Sequence, residues 1–394
     1  MRFLRTLPTR RLLVLIAAAF VLVAAGAAIA VASGGGGPTP PPEPLDQAIH
    51  DALSAPTPDG VTARVKFTNN LFPSGALLGS TGSALMSGAS GRLWATNDGH
   101  GRIELQSDAG DVQIVWSPTT VTVYDASSNT VYRATLPSHG GGGSGSADHG
   151  SPPALSAIDD FLGRLGEHAT ISAAQPDNVA GQPAYSVTVS PKHDGGLLAS
   201  AELAFDAAHG VPLRIAITAQ GSSSPVLALE ATDISFGSVP ASDVDVSPPS
   251  DAKVVDLGSG FAGGTSSSES KAAPVTGLTA VQAAADFPVV APDTLVGLPR
   301  KDVRLVGGND SRTALVSYGQ GLGGILVVER KADSGTKNGG ALSSLPTVSL
   351  DGVTAHELAT QLGTAIEWHA GGTSYVLAGS LPPAAAEAAA RQLK

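Results

Sequence analysis

Two hydrophobic periods succeed one another along the chain, and each switch marks an element. Between residues 45 and 53 the apolar positions Leu45, Ile49 and Leu53 recur every four residues, which predicts one short amphipathic helix. The period then drops to two. Val61, Ala63, Val65 and Phe67 alternate with Thr62, Arg64, Lys66 and Thr68, the pattern of a strand with one buried face. Shorter alternations follow at Ile103 and Leu105, at Val112, Ile114 and Trp116, and at Val121 and Val123. Asn97-Asp98-Gly99, Asp108-Ala109-Gly110 and Ser127-Ser128-Asn129 separate these runs, so the pattern predicts an antiparallel meander joined by tight turns.

Residues 138–153 (SHGGGGSGSADHGSPP) are of low complexity and interrupt the meander. Beyond them Leu155, Ile158, Leu162 and Leu165 lie on one face of a helix expected over 154–168. Strand patterns resume at 185–189, 199–205, 213–218 and 226–234, and residues 246–250 close the unit. A sheet with one apolar face covered by a few helices is an α+β arrangement. Residues 251–274, nearly free of large apolar side chains from 258 onward, are expected as a linker. A second, smaller α+β domain is expected over 275–394. It has a helix near 279–285, strands at 314–318, 325–330, 365–369 and 374–378, and a closing helix at 384–393 that starts after Pro382-Pro383 and carries Glu387 and Arg391 at i, i+4.

The N-terminus has a different character. Residues 1–11 carry Arg2, Arg5, Arg10 and Arg11, and residues 12–32 contain no charge at all. At about 1.5 Å per helical residue such a run spans roughly 30 Å, the hydrocarbon thickness of a bilayer. It reads as a signal anchor, or as a signal peptide if Ala30-Val31-Ala32 is a cleavage site. Either way the remainder is expected outside the cytoplasm, single-pass at the cell membrane in the first case and secreted in the second. Residues 33–44 (SGGGGPTPPPEP) are expected as a Gly/Pro tether.

Composition narrows the function classes. Charged residues make up 14% of 394 against roughly 25% in ordinary domains, while 42% are hydrophobic, so a sizeable core is available. The chain has 23 basic and 34 acidic residues; removing residues 1–32 takes away four arginines and no acid, which leaves about −15. Nucleic acid is an improbable partner without a concentrated basic face. The absence of cysteine excludes disulfides, thiol catalysis, thiolate metal sites and a lipid-modified N-terminal cysteine.

No motif assembles a reaction centre. Gly319, Gly321 and Gly324 have GxGxxG spacing, but the β-branched run that follows, Ile325-Leu326-Val327-Val328, predicts a hairpin rather than the helix a pyrophosphate needs. His356-Glu357-Leu358-Ala359-Thr360 begins like HExxH and puts Thr360 where the second imidazole belongs; Leu358 and Leu362 predict an ordinary amphipathic helix there. His139 and His149 flank the glycine-rich loop without supporting ligands. Ser250 and Lys253 have SxxK spacing beside Pro248-Pro249, and the acidic pairs Asp159-Asp160 and Asp243/Asp245 read as surface charge. There is no GxSxG elbow. No catalytic residue, metal site or cofactor is expected. The apolar face remains: if the sheet curls into a half-open barrel, its inward residues line a cavity for a small apolar ligand, and a filled core would use the same pattern.

Arg92-Leu93-Trp94, followed by Val121-Thr122-Val123-Tyr124-Asp125 and Val131-Tyr132-Arg133, carries a resemblance. Residues 45–250 resemble the periplasmic lipoprotein-carrier superfamily (LolA-like) and its RseB-like relatives that regulate an anti-sigma factor. In those proteins an RxW strand precedes a vYD strand. Trp94, Tyr124 and Asp125 match residue by residue. Asp286-Phe287-Pro288, the glycine-rich 318–324 segment, Trp368 and Tyr375-Val376-Leu377-Ala378-Gly379 look like a domain appended to such proteins in high-GC Gram-positive bacteria. The resemblance implies an unclosed antiparallel barrel with a helical lid over a lipid or acyl-chain pocket, and no catalysis. On it, Val65, Phe67, Trp94, Ile103, Leu105, Ile114, Trp116, Val123 and Tyr124 are expected to line the cavity. The expected ligand is a lipid or lipidated protein, with an anti-sigma factor or other envelope membrane protein as the alternative partner.

Overall fold

The computed structural model describes residues 37–72, 84–136, 153–256, 275–308, 312–332 and 345–393. The N-terminal arginines and uncharged run, His139, His149 and most of the expected linker lie outside these residues. Among the described residues no helix is long and apolar enough to cross a membrane. The chain forms two compact units: Met1–Asn70 with Leu78–Ser190 and Ser200–Ser266, and Leu71–Leu77 with Pro191–Ala199 and Ser267–Lys394.

In the first unit, helix α1 (Leu45–Ser54) ends at Ala55, which is extended because Pro56 follows it. Strands β1 (Gly60–Asn69), β2 (Ala89–Thr96), β3 (Gly101–Ser107), β4 (Gly110–Trp116), β5 (Thr120–Asp125) and β6 (Thr130–Thr135) form the predicted meander, with the four-residue helix α2 (Ala84–Ser87) between β1 and β2. Helix α3 (Leu155–His168) leads into β7 (Ala169–Ile171), β8 (Gln175–Val179), β9 (Gln182–Pro191), β10 (Leu198–Asp206), β11 (Pro212–Ala219) and β12 (Leu227–Phe236). A short helix α4 (Ala241–Val244) precedes β13 (Lys253–Asp256). The sheet order is β13-β6-β5-β4-β3-β2-β1-β12-β11-β10-β9-β7, with β8 paired to β9. This path has two ends, so the sheet is not a closed barrel.

Two expectations about this unit change. The sheet does not stop at residue 250, because Lys253–Asp256, assigned to the linker, pairs in parallel with β6. The proline-rich tether is also pinned at its described end. The Asn178 side-chain amide donates to the carbonyl of Pro38 at 2.7 Å, and the Tyr185 hydroxyl donates to that of Pro41 at 2.7 Å. Proline has no backbone N–H, but its carbonyl still accepts, so an extended proline segment can dock through carbonyls alone.

The second unit contains β14 (Val275–Thr276), α5 (Leu278–Ala284), β15 (Thr294–Leu295), β16 (Leu298–Val306), β17 (Thr313–Tyr318), β18 (Ile325–Lys331), β19 (Thr347–Leu350), β20 (Val353–Thr360), β21 (Gly363–Ala370), β22 (Thr373–Gly379) and α6 (Pro383–Arg391). Its sheet runs β14-β16-β17-β18-β22-β21-β20-β19, with β15 on β16. The glycine-rich segment joins β17 to β18 as a hairpin, with Gly319 at φ 71° and Gly321 at φ 58°, where a side chain would be strained. Residues 356–360 are strand, not helix: β20 pairs with β19 on one side and β21 on the other. Cross-strand partners on both sides outweigh the helical spacing of Leu358 and Leu362. The core is one cluster including Tyr318, Val327, Ile366, Trp368, Tyr375 and Leu377, closed by Ala386, Ala389 and Ala390 of α6.

Candidate functional site: the apolar face of the first sheet

Strand register decides which side chains share a face. Val65 and Phe67 lie opposite Gly91 and Ala89 on β2, Leu93 opposite Ile103, Ile103 opposite Ile114, and Ile114 opposite Val123. On β12, Ala231 and Leu229 face Val65 and Phe67. One apolar face therefore runs unbroken from β12 to β5.

The face is not uniform in depth. Val65, Phe67, Ile103, Leu105 and Ile114 are 1–4% exposed and form the deep end. Helix α2 packs over β1, β3 and β4 there, with Ala84 fully buried. The Asn69 amide donates to the Leu85 carbonyl at 2.8 Å and holds this roof to β1. Toward β6 the cover thins: Trp116, Val121 and Val123 are only half-buried, and Tyr132, which pairs with Val123, is 37% exposed. The deep end is packed core, and the shallow end leaves apolar rings and valines within reach of solvent.

Seven of the nine expected residues share this face. Trp94 and Tyr124 do not. Trp94 pairs with Thr62 and Arg102, and Tyr124 with Gln113 and Val131, all on the opposite face. Each of them neighbours an apolar residue, Leu93 and Val123, that takes the inward position instead. Trp94 is covered by Arg102, whose guanidinium sits 5.0 Å from the ring centroid while donating to the carbonyl of Asp243 at 3.1 Å. The Tyr124 hydroxyl donates to Asn129, whose own amide reaches Asp251.

Gly101 belongs to the site although no periodicity marks it. It lies opposite Trp116, and a Cβ there would come within 2.0 Å of the indole. The missing side chain is what lets the ring lie flat across β3. Only the pairing of β3 with β4, a tertiary fact, reveals this.

Farther along the same sheet, Arg214 on β11 gathers carboxylates. It lies 2.6 Å from Asp177, 2.7 Å from Glu202 and 3.7 Å from Glu230. Burial raises the Asp177 carboxyl, but hydrogen bonds from Ser186 and the Asn178 amide together with Arg214 outweigh it and lower the pKa. For Glu230 burial prevails and the pKa rises. With the Ser186 hydroxyl of β9, 2.6 Å from Asp177, this cluster ties β8, β9, β10, β11 and β12 together. Of the other sequence candidates, Asp159 and Asp160 are exposed on α3, and Ser250 and Lys253 are exposed near the edge strand.

No family model and no curated protein sequence matches this chain. Among solved structures it is similar to MucB in complex with MucA(peri), at 14% identity over 88% of this chain and 96% of that one, with a TM-score of 0.41. The Pseudomonas aeruginosa MucA/MucB complex matches at 14% identity, over 87% and 95%, with a TM-score of 0.41. A LolA-superfamily protein from Nitrosomonas europaea matches at 9% identity over 52% of this chain and 98% of that one, with a TM-score of 0.24. These likenesses are to the proteins that the sequence motifs resemble, at identities of 9–14%.

Proposed function

We propose that the protein is a non-enzymatic binding protein, tethered outside the cytoplasmic membrane by its N-terminal segment, whose open sheet takes an acyl chain of a lipid or lipidated protein. The observation that carries this reading is the graded apolar face. Five side chains at the deep end are buried, while Trp116, Val121, Val123 and Tyr132 continue the same face into accessible surface. An acyl chain laid along that end exchanges water for hydrocarbon on both sides. At about 0.8 kcal/mol per buried CH₂, ten methylenes contribute on the order of 8 kcal/mol before ordering costs. A longer chain has to displace α2, a single helical turn.

The test is native mass spectrometry of the full chain extracted in mild detergent, followed by delipidation and acyl-ligand titration. Co-purified lipid and micromolar rebinding are expected; a delipidated protein with no affinity for any acyl ligand would sink the reading. The alternative is a signalling module that binds an anti-sigma factor or another membrane sensor. The edge strand β13 favours it: among the described residues it pairs with β6 alone, Val254 is 56% exposed there, and a partner strand can add to an edge of that kind. A stoichiometric membrane-protein partner captured in detergent, and unaffected by delipidation, would favour that alternative.

A further inference from the structure

The outer face of the same sheet carries a second constellation. Across β12, β1, β2 and β3 one row reads Asp233, Arg64, Arg92, Glu104, and the next reads Ser235, Thr62, Trp94, Arg102. Arg64 and Arg92 are thus direct cross-strand neighbours. Like charges in that position destabilise a sheet, and both arginines are exposed on a chain with few charges. Glu104 is engaged by Arg102, and among the described residues neither Arg64 nor Arg92 has an ion-pair partner within 4 Å. Thr62, Arg64, Arg92, Trp94, Asp233 and Ser235 together line a recess of about 200 Å³.

We propose that this recess binds a phosphate group, carried by a lipid headgroup or free in solution. A tetrahedral oxyanion between the two guanidinium forks turns a repulsive pair into an attractive triad, and arginine matches phosphate oxygens in bidentate geometry. The volume holds several waters or one such anion. Thr62 and Ser235 supply hydroxyl groups at the rim. Asp233 would repel a fully ionised anion, yet it accepts a hydrogen bond from phosphate that keeps a proton, as its second pKa near 6 allows. That selects phosphate over sulfate or carboxylate. Trp94, braced by Arg102, walls one side and gives the carbon attached to a phosphate ester an apolar surface. The site lies on the face opposite the apolar one, and it does not depend on the acyl reading.

Calorimetric titration of the full chain in detergent at low salt tests it. The probes are inorganic phosphate, sulfate, dihexanoyl phosphatidic acid and dihexanoylglycerol. Saturable binding of phosphate, weaker binding of sulfate, and a loss of about tenfold or more in Arg64→Gln or Arg92→Gln are expected, with unfolding temperatures unchanged or raised. Binding of the phosphatidic acid without inorganic phosphate, lost in the same variants, would identify the lipid headgroup as the source. Dihexanoylglycerol, which lacks phosphate, reads the acyl site alone and should be indifferent to both substitutions. Absence of binding by both phosphate probes, or binding unchanged in both variants, overturns the proposal. A fall of several degrees in unfolding temperature in either variant makes the arginines structural and overturns it as well.

Discussion

The two units bury their sheets differently. In the second, Ile366, Trp368, Tyr375 and Leu377 are 0–3% exposed, Trp368 stacks on Tyr375 at 5.0 Å, and the alanine face of α6 closes the layer. In the first, the apolar face begins equally deep at Ile114 and ends at the exposed ring of Tyr132. Both sheets are written with the same two-residue period. What distinguishes a filled core from a face with an accessible end is therefore the cover laid over it, not the strand pattern. Charge follows the same division. The first unit surrounds Arg214 with three carboxylates, whereas in the second Glu329 is buried and, among the described residues, has no ion-pair partner.

Exchanging one tryptophan in each unit for alanine gives the largest contrast. Trp368→Ala removes a fully packed ring and is expected to cost about 3–5 kcal/mol. Trp116→Ala removes a half-buried ring that covers Gly101 and should cost clearly less, while weakening acyl binding. Chemical denaturation of the two variants, with acyl titration of the second, checks this. Equal destabilisation would erase the distinction between the units.

Glu329 provides the next test. Its Oε2 accepts the Val290 amide at 2.9 Å, and among the described residues its Oε1 has no hydrogen-bond partner. Burial pushes the carboxyl from the ordinary 4.5 up to about 7, with the Val290 hydrogen bond pulling weakly the other way. Between those values the folded chain keeps a proton that the unfolded chain has released. Stability from this group is therefore full below about pH 4.5 and is lost as the pH rises through 7, in total on the order of 3 kcal/mol. Unfolding of the second unit measured from pH 4.5 to 8 should follow that slope, and Glu329→Gln should flatten it. A profile identical in the wild type and the variant would show that Glu329 does not titrate there.

The sequence disclosed local features and missed those that depend on distant partners. Strands β1, β3 and β4, helix α3, and the Pro382-Pro383 start of α6 were legible because period, turn residues and caps act over a few positions. The i, i+4 pair of Glu387 and Arg391 forms as read, at 2.6 Å. β20 reads as helix in the sequence because His356-Glu357-Leu358-Ala359 has helical propensity, and its partners lie on neighbouring strands that local spacing does not report. β13 leaves little trace in the sequence because only Val254 and Val255 mark it, one of them exposed at the edge. Within the site, the two-residue alternation puts Val65 with Phe67, Ile103 with Leu105, and Ile114 with Val112 on one side of their strands, and strand register joins these sides into one face. Trp94 and Tyr124 carry the motif, but each has the opposite parity to its inward neighbour, Leu93 or Val123, and parity sets the face. Gly101, the Arg214 cluster and the Arg64–Arg92 pair exist only through register between strands.

The most direct measurement is quenching of single-tryptophan proteins by a brominated acyl chain. Trp94→Phe with Trp368→Phe leaves Trp116, and Trp94→Phe with Trp116→Phe leaves Trp368, the chain having three tryptophans in all. Saturable quenching of Trp116 with Trp368 unaffected is expected if the accessible end of the first sheet holds the acyl chain. Equal quenching of both, or binding that leaves Trp116 unquenched, would contradict it.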